Sequence, residues 1–420
     1  MDTPPASQVA VPPSSPPEDA AGAYPRELIA AAFTAFAAFG SFWGVWGASV
    51  PRVQAQAGVS DGQLGVALLF VGAGALPAML LVGRALDRWG PRIGALLIAL
   101  LGLLGAGVAL AAVGFTSLCA GLALAGACSG AADVSMNAIV GRAEQLAGRP
   151  VITHAHGAFS TFVVLASLAT GLAAALALPL AVPFAAVAAL CVVAGTAMLF
   201  SLPARMSTAR TDPSASAAGA ARPGRREALP LILLGALGGL AFASENAHQS
   251  WSAVFVHDEL HAGPGLAAVA PAVFAGTVAL TRFAVGSLPS VSPPALLRLG
   301  ALSAAGGTTV LALAPTLAVA MIGLITAGAG TAVLFPTLVG IVSRNVEESR
   351  RGRATSLVTT VSYLGFLLGP VYVGLCANAA GLRGAMLAVA VLGAALLLLT
   401  PVFLRLSGLR VSNDPVNADS

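Results

Sequence analysis

Apolar runs about 20 residues long, separated by short turn-rich junctions, recur about twelve times along this chain, and no single motif limits the fold as much. A hydrocarbon layer about 30 Å thick is crossed by about 20 helical residues rising ~1.5 Å each. Backbone in lipid must satisfy its own hydrogen bonds, and the runs lack the two-residue alternation of barrel strands, so the expected spans are α-helices. The chain is 57% apolar and 9% charged, with a mean hydropathy of +0.88, whereas a soluble domain carries about a quarter charged residues. The expected fold class is an all-α polytopic membrane protein whose surrounding partner is the lipid bilayer.

Hydropathy and loop breakers place spans near 28–50, 63–83, 93–113, 116–141, 154–178 and 181–202, then near 229–255, 264–286, 295–313, 317–343, 354–377 and 384–405. This divides the chain into a disordered tail (1–27), a six-helix bundle (28–202), a linker (203–228) rich in Ala, Ser, Pro, Gly and Arg, a second six-helix bundle (229–405) and a second tail (406–420). Residues 1–25 lack the basic start and apolar core of a signal peptide. With both termini inside, the inner loops hold Arg84, Arg88, Arg92, Arg142, Arg149, the linker arginines, Arg298, Arg344, Arg350, Arg351 and Arg353, and the outer loops hold Arg52 and Arg383. That asymmetry follows the positive-inside rule and sets the orientation. These arginines flank membrane spans and do not form one soluble face, so no nucleic-acid partner is expected.

Sliding the chain on itself by about 203 residues aligns Ala125-Gly126-Ala127 with Ala327-Gly328-Ala329, Arg142 with Arg344, Val82-Gly83 with Val285-Gly286, and Gly171-Leu172 with Gly374-Leu375. Two pseudo-symmetric six-helix bundles in parallel orientation form a plan in which one bundle rocks against the other around a central site.

The junction Gly83-Arg84-Ala85-Leu86-Asp87-Arg88-Trp89-Gly90-Pro91-Arg92 concentrates charge between the second and third spans. Gly83 is expected to let the second helix approach a neighbour closely, and Gly90-Pro91 to reset the chain into the third. A carboxylate at Asp87 suits the positive end of a facing helix. The pattern G-x-x-x-D-R-x-G-x-R resembles the signature of the major facilitator superfamily. The resemblance implies that Gly83, Asp87, Arg88, Gly90 and Arg92, with Arg142 and Arg344, form a cytoplasmic gate in which Asp87 contacts the start of the eleventh helix near Arg353 to Ser356. The second-half copy, Val285-Gly286-Ser287-Leu288, keeps the glycine and loses the Asp-Arg pair.

Gly44-Val45-Trp46-Gly47-Ala48, Asp133-x-x-Met136-Asn137, His156-Gly157-Ala158-Phe159-Ser160 and Glu245 ahead of Trp251-Ser252-Ala253-Val254 are similar to a bacterial branch that includes membrane proteins of rhizopine gene clusters. The resemblance implies a bacterial inner membrane. Leu122 stands where proton-linked drug exporters of the superfamily carry an arginine, and the Gly-Pro pair they carry in helix five stands here at Gly369-Pro370, in helix eleven. Both departures disfavour a multidrug antiporter.

Ionisable residues within a span mark function by default. Gly126, Gly130, Asp133 and Asn137 fall on one face of helix four at i, i+4, i+7 and i+11. Two readings of Asp133 stand: a carboxylate that couples proton or solute movement, or a structural bond to a neighbouring helix or to Arg282. Glu245, His248 and Ser252 form a stripe on helix seven beside Asn246, Gln249 and Trp251, which fits either a hydrated cavity or an early exit of that helix into an outer loop. Trp43 and Trp46 suit stacking on a sugar-like ring, with an interfacial belt as the alternative for Trp46. Cys119, Cys128, Cys191 and Cys376 lack metal spacing, and His154 and His156 lack a carboxylate, so no metal or cofactor is expected.

The expected function is secondary transport of a small polar organic solute by alternating access, proton-coupled, with uptake favoured over export and the monomer as the working unit. The rivals are a metabolite or drug exporter and a membrane sensor that binds without transport. A membrane enzyme would need a catalytic constellation in a sizeable loop, and the loops here are short.

Overall fold

The ends of the helices are written in local side chains. Ser60 caps the second helix by accepting the Gln63 N–H at 3.3 Å while the Gln63 side chain accepts the Ser60 N–H at 3.0 Å, with Asp61 in the first turn. The same helix stops at Trp89 because Gly90 turns to φ 78°, a left-handed value that favours glycine, and its N–H closes on the Leu86 carbonyl at 2.8 Å. The Glu144 carboxylate accepts the N–H groups of Val151 and Ile152 at 2.7 and 2.9 Å, serving donors that the fifth helix leaves free at its start.

The computed structural model describes residues 18–203, 225–287 and 292–409. Its helices are α1 (Glu18–Ala57), α2 (Asp61–Trp89), α3 (Arg92–Ala111), α4 (Phe115–Ala147), α5 (Ile152–Ala175), α6 (Ala181–Ser201) and α7 (Arg225–Asp258). After a short turn at Pro264–Ala267 come α8 (Val269–Ser287), α9 (Pro293–Ala312), α10 (Leu317–Asn345) and α11 (Glu348–Ser407). Each expected span has its helix, and among the described residues 11 helices are long and apolar enough to cross a membrane. The last one holds two spans. Sixty residues of straight α-helix would reach about 90 Å, about three times the bilayer core, and α11 is broken at Gly381 (φ 73°, ψ 170°) into limbs 348–380 and 382–407. α1 begins inside the stretch expected as a tail, and most of the expected linker lies outside the described residues.

Large apolar side chains face outward around the molecule, among them Leu80, Leu110, Phe200 and Leu398. A surface of this kind suits lipid. Helix contacts inside are built on small residues. A Cβ on Gly126 would strike the Val71 carbonyl of α2, and one on Gly328 would stand 3.3 Å from the Phe274 carbonyl of α8. These two pairs lie about 203 residues apart, so the internal repeat is visible as one packing geometry used twice.

The halves meet by the same rule. Gly171 of α5 lies against Gly265 and Ala268 in the short turn just ahead of α8, where a Cβ would be 2.8 Å from the Gly265 carbonyl. Gly374 of the first limb of α11 lies against Asp61 and Gly65 at the start of α2, at 2.7 Å. In each pair the fifth span of one half crosses the second span of the other. Both crossings sit at the end of the bundle away from α6–α7, called the far end below; the opposite end, which carries the α2–α3 junction, is the linker end.

Candidate functional site

The glycine stripe of α4 does two jobs. Gly126 and Gly130 press on Val71 and Ala75 of α2, where a Cβ on Gly130 would come within 2.9 Å of Ala75. Three residues on, the same face brings Asp133 to the wall of a cavity of about 130 Å³ between the halves. Its walls are Phe39 and Trp43 of α1, Val71, Gly72, Ala75, Leu76 and Met79 of α2, Ser129, Gly130 and Asp133 of α4, and Tyr363, Phe366 and Leu367 of the first limb of α11. Asn137, one turn along α4, donates from its amide to the Asp133 backbone carbonyl at 2.9 Å and to the Asp133 carboxylate at 3.2 Å. Asp133 and Tyr363 are the titratable groups among the described residues of this wall.

The aromatic members are packed and not loose. Phe39 meets Trp43 edge-on with centroids 6.3 Å apart and Phe159 at 5.9 Å, while Tyr363 and Phe366 sit 6.0 Å apart and both contact Phe242. Trp43 thus reaches the cavity as expected. Trp46 does not: it is 6% exposed inside the first half, which removes the interfacial-belt alternative. Phe39, Tyr363 and Phe366 were not expected here. Their signal was aromatic spacing of three or four residues within α1 and the eleventh span, which a fully buried helix also shows.

The polar residues of α7 remain within the helix, so the early-exit alternative falls. They diverge to different partners. The Arg282 Nη2 donates to both Glu245 carboxylate oxygens at 3.1 and 3.0 Å, and its Nε donates to the Ala332 carbonyl of α10 at 3.3 Å. Arg282 is therefore engaged by Glu245, and the expected alternative of an Asp133–Arg282 bond is replaced. His248 is fully buried, its Nδ1 2.6 Å from the Ser244 carbonyl and its Nε2 3.0 Å from the Thr308 hydroxyl of α9, with the ring stacked on Phe274 at 5.0 Å and 7°. Trp251 is also fully buried and donates from Nε1 to the Pro370 carbonyl at 3.2 Å. Asn246 donates to the Phe366 carbonyl at 2.6 Å. Of the expected site residues, the structure groups Asp133, Asn137 and Trp43, and places Glu245, His248 and Trp251 in the bonds that hold α7 to α8, α9 and α11. These partners come from other helices, so no local pattern on α7 announces them.

At the linker end, Gly90 makes the expected turn, and the Arg92 Nε donates to the Leu202 carbonyl at 2.9 Å, tying the start of α3 to the end of α6. The Arg88 guanidinium lies 5.4 Å from the centroid of the neighbouring Trp89 ring. Gly83 corrects the expectation: nothing lies within 4 Å of where its Cβ would be, because the close approaches of α2 fall at Gly65, Gly72 and Gly74. Asp87 is exposed and makes no ion pair among the described residues. Its expected partner region begins at Arg353, whose side chain lies outside the described residues. Arg142 is half-buried and Arg344 exposed. The far end is shut by glycine crossings, and at the linker end Asp87 makes no ion pair among the described residues.

The sequence profile of the Major Facilitator Superfamily matches residues 31–321 and 291–418. The chain is 29% identical over 358 residues to an uncharacterized transporter, y4wD, of Sinorhizobium fredii (strain NBRC 101917 / NGR234), covering 84% of this chain and 92% of that one. It is 28% identical over 356 residues to the membrane protein MosC of Rhizobium meliloti, covering 82% of each. Among solved structures it is similar to a D-xylose-proton symporter, with a TM-score of 0.72 and 15% identity over 90% of this chain and 97% of that one. The family match and these relatives mark the chain as a membrane transporter and not an enzyme, and the rhizobial relatives fit the bacterial branch that the sequence resembles. Residues from 31 to 418 match one profile, so the chain belongs to the Major Facilitator Superfamily.

Proposed function

We propose that this transporter moves a small polar organic solute across a bacterial inner membrane by alternating access, coupled to protons through Asp133. One observation carries the reading: among the described residues a single carboxylate faces a cavity whose walls come from both halves, α1, α2 and α4 on one side and α11 on the other. A carboxylate in such a place exchanges its proton with whichever side the cavity opens to, and a charge there is costly unless it serves function. Asn137 orients it, and Trp43 supplies a wall. Glu245, His248, Trp46 and Trp251 act as supports.

The arginine asymmetry puts both termini and the linker end in the cytoplasm. The conformation with the far end interlocked, in which Asp87 makes no ion pair among the described residues, is then inward-facing. Gly83, Asp87, Arg88, Gly90 and Arg92, with Arg142 and Arg344, act as a cytoplasmic gate that engages when the cavity turns outward. The protein works as a monomer without a nucleic-acid partner. The reading is tested in proteoliposomes with an entrapped pH dye and radiolabelled amines, polyols, sugars and amino acids. A solute whose flux is driven by a pH gradient and abolished by Asp133→Asn is expected. Flux indifferent to both would remove the proton assignment.

A further inference from the structure

Resting on the transport reading of this same cavity, we propose that its solute is a small organic monocation, an amine or quaternary ammonium, bound by Asp133 and the aromatic walls. The chemistry of the lining decides among solute classes. Phe39, Trp43, Tyr363 and Phe366 present aromatic rings from both halves, and Asp133 is the sole carboxylate among the described residues of the wall. No arginine or histidine belongs to the described wall, so an anion would meet a carboxylate with no countercharge. A sugar or polyol fares little better. Beyond Asp133, the hydroxyls of Ser129 and Tyr363 and the indole N–H of Trp43 are the side-chain hydrogen-bonding groups on the described wall, and a polyol carries more hydroxyls than these can satisfy. Burying the remainder unpaired is unfavourable. A monocation needs one opposite charge and polarisable faces, and both are present. Asn137 binds one oxygen of the Asp133 carboxylate, Oδ1, and no hydrogen bond among the described residues occupies the other.

The sugar-like solute expected from Trp43 and Trp46 therefore gives way, since Trp46 is turned into the first half. A direction follows too. A carboxylate paired with an ammonium holds no proton, so cation and proton alternate at Asp133 and move in opposite senses, out and in, in place of the expected uptake. The other charged or titratable groups nearby are accounted for. Tyr363 shares the wall, Arg282 and Glu245 are paired with each other, and His156 of α5 lies edge-on to Phe36 of α1 at 4.8 Å.

The test uses the full-length protein in lipid nanodiscs. Binding is measured by calorimetry and by shift of melting temperature for tetramethylammonium, choline and phenethylammonium, with 3,3-dimethylbutan-1-ol as the uncharged isostere of choline, and with myo-inositol and benzoate. At least one cation is expected to bind, tenfold or more tighter than any neutral or anionic probe and more weakly as pH falls. Asp133→Asn should lose at least tenfold in affinity, Asp133→Glu should keep binding, and Trp43→Ala should weaken it. Size-exclusion profiles establish that each variant is folded, and Asp133→Glu carries the test should Asp133→Asn fail to fold. The proposal is overturned if no cation binds, if the uncharged isostere binds as well as choline, or if Asp133→Asn leaves cation affinity intact. If instead a polyol shows proton-driven flux dependent on Asp133, the cation proposal fails while the transport reading stands.

Discussion

Gly65 and Gly374 cross with their backbones in contact: a methyl on Gly374 would stand 2.7 Å from the Gly65 Cα, and one on Gly65 would stand 2.8 Å from the Gly374 Cα. One turn away, a Cβ on Gly62 would lie 3.2 Å from the Asn378 Cβ. Disulfides span Cβ–Cβ distances of about 3.5–4.5 Å, so a shift of a few tenths of an ångström accommodates one here. In a Cys376→Ser background, Gly62→Cys with Asn378→Cys should form a disulfide under mild oxidation and stop transport, and reductant should restore it. Unimpaired flux in the fully cross-linked protein would show that this crossing does not part during transport.

The same disulfide reports on the gate. Asp87 makes no ion pair among the described residues in the conformation whose far end is shut; if it engages only in the opposite state, removing its charge costs that state alone and shifts the population toward far-end closure. Asp87→Asn should therefore raise the rate of disulfide formation between positions 62 and 378 severalfold while leaving solute affinity in the cross-linked protein unchanged. Loss of that affinity would move Asp87 from the gate into the binding site.

The number of spans was legible because apolar run length is a local property, read by counting from one breaker to the next. Even the break within α11 falls at Gly381, inside the expected gap between 377 and 384. Asp133 was legible for a related reason: the i, i+4, i+7, i+11 stripe is fixed by helix geometry alone. The α7 residues were not. Whether His248 faces a cavity or a core depends on Thr308 and Phe274, about 60 and 26 residues away in sequence, and on helix crossings that no local pattern encodes. Gly83 was misjudged in the same way, since a glycine shows where close approach is permitted and the neighbouring helix decides where it happens.

Glu245 and Arg282 join α7 to α8, with side-chain exposures of 13% and 43%. Partial exposure puts the pair between an exposed ion pair and a buried one, so a coupling of about 1–2 kcal/mol is expected. Glu245→Gln alone should lower stability in detergent by more than Glu245→Gln combined with Arg282→Gln, since the double change leaves no unpaired charge. A double-mutant cycle on unfolding free energies measures this. A coupling near zero would show that the pair does not stabilise the α7–α8 contact.

His248 provides the sharpest contrast between sequence and structure, because a histidine inside a span reads as a proton carrier and this one is bonded on both sides. The Ser244 carbonyl and Thr308 hydroxyl take its two nitrogens, and Phe274 covers its face. Truncation would leave a cavity and strip the Thr308 hydroxyl of that partner, a combined loss of about 2–5 kcal/mol. His248→Ala should accordingly lower the melting temperature markedly, while protein kept folded at low temperature retains its solute affinity and its pH dependence. Should His248→Ala instead keep its stability and lose the pH dependence, the coupling role would pass from Asp133 to His248.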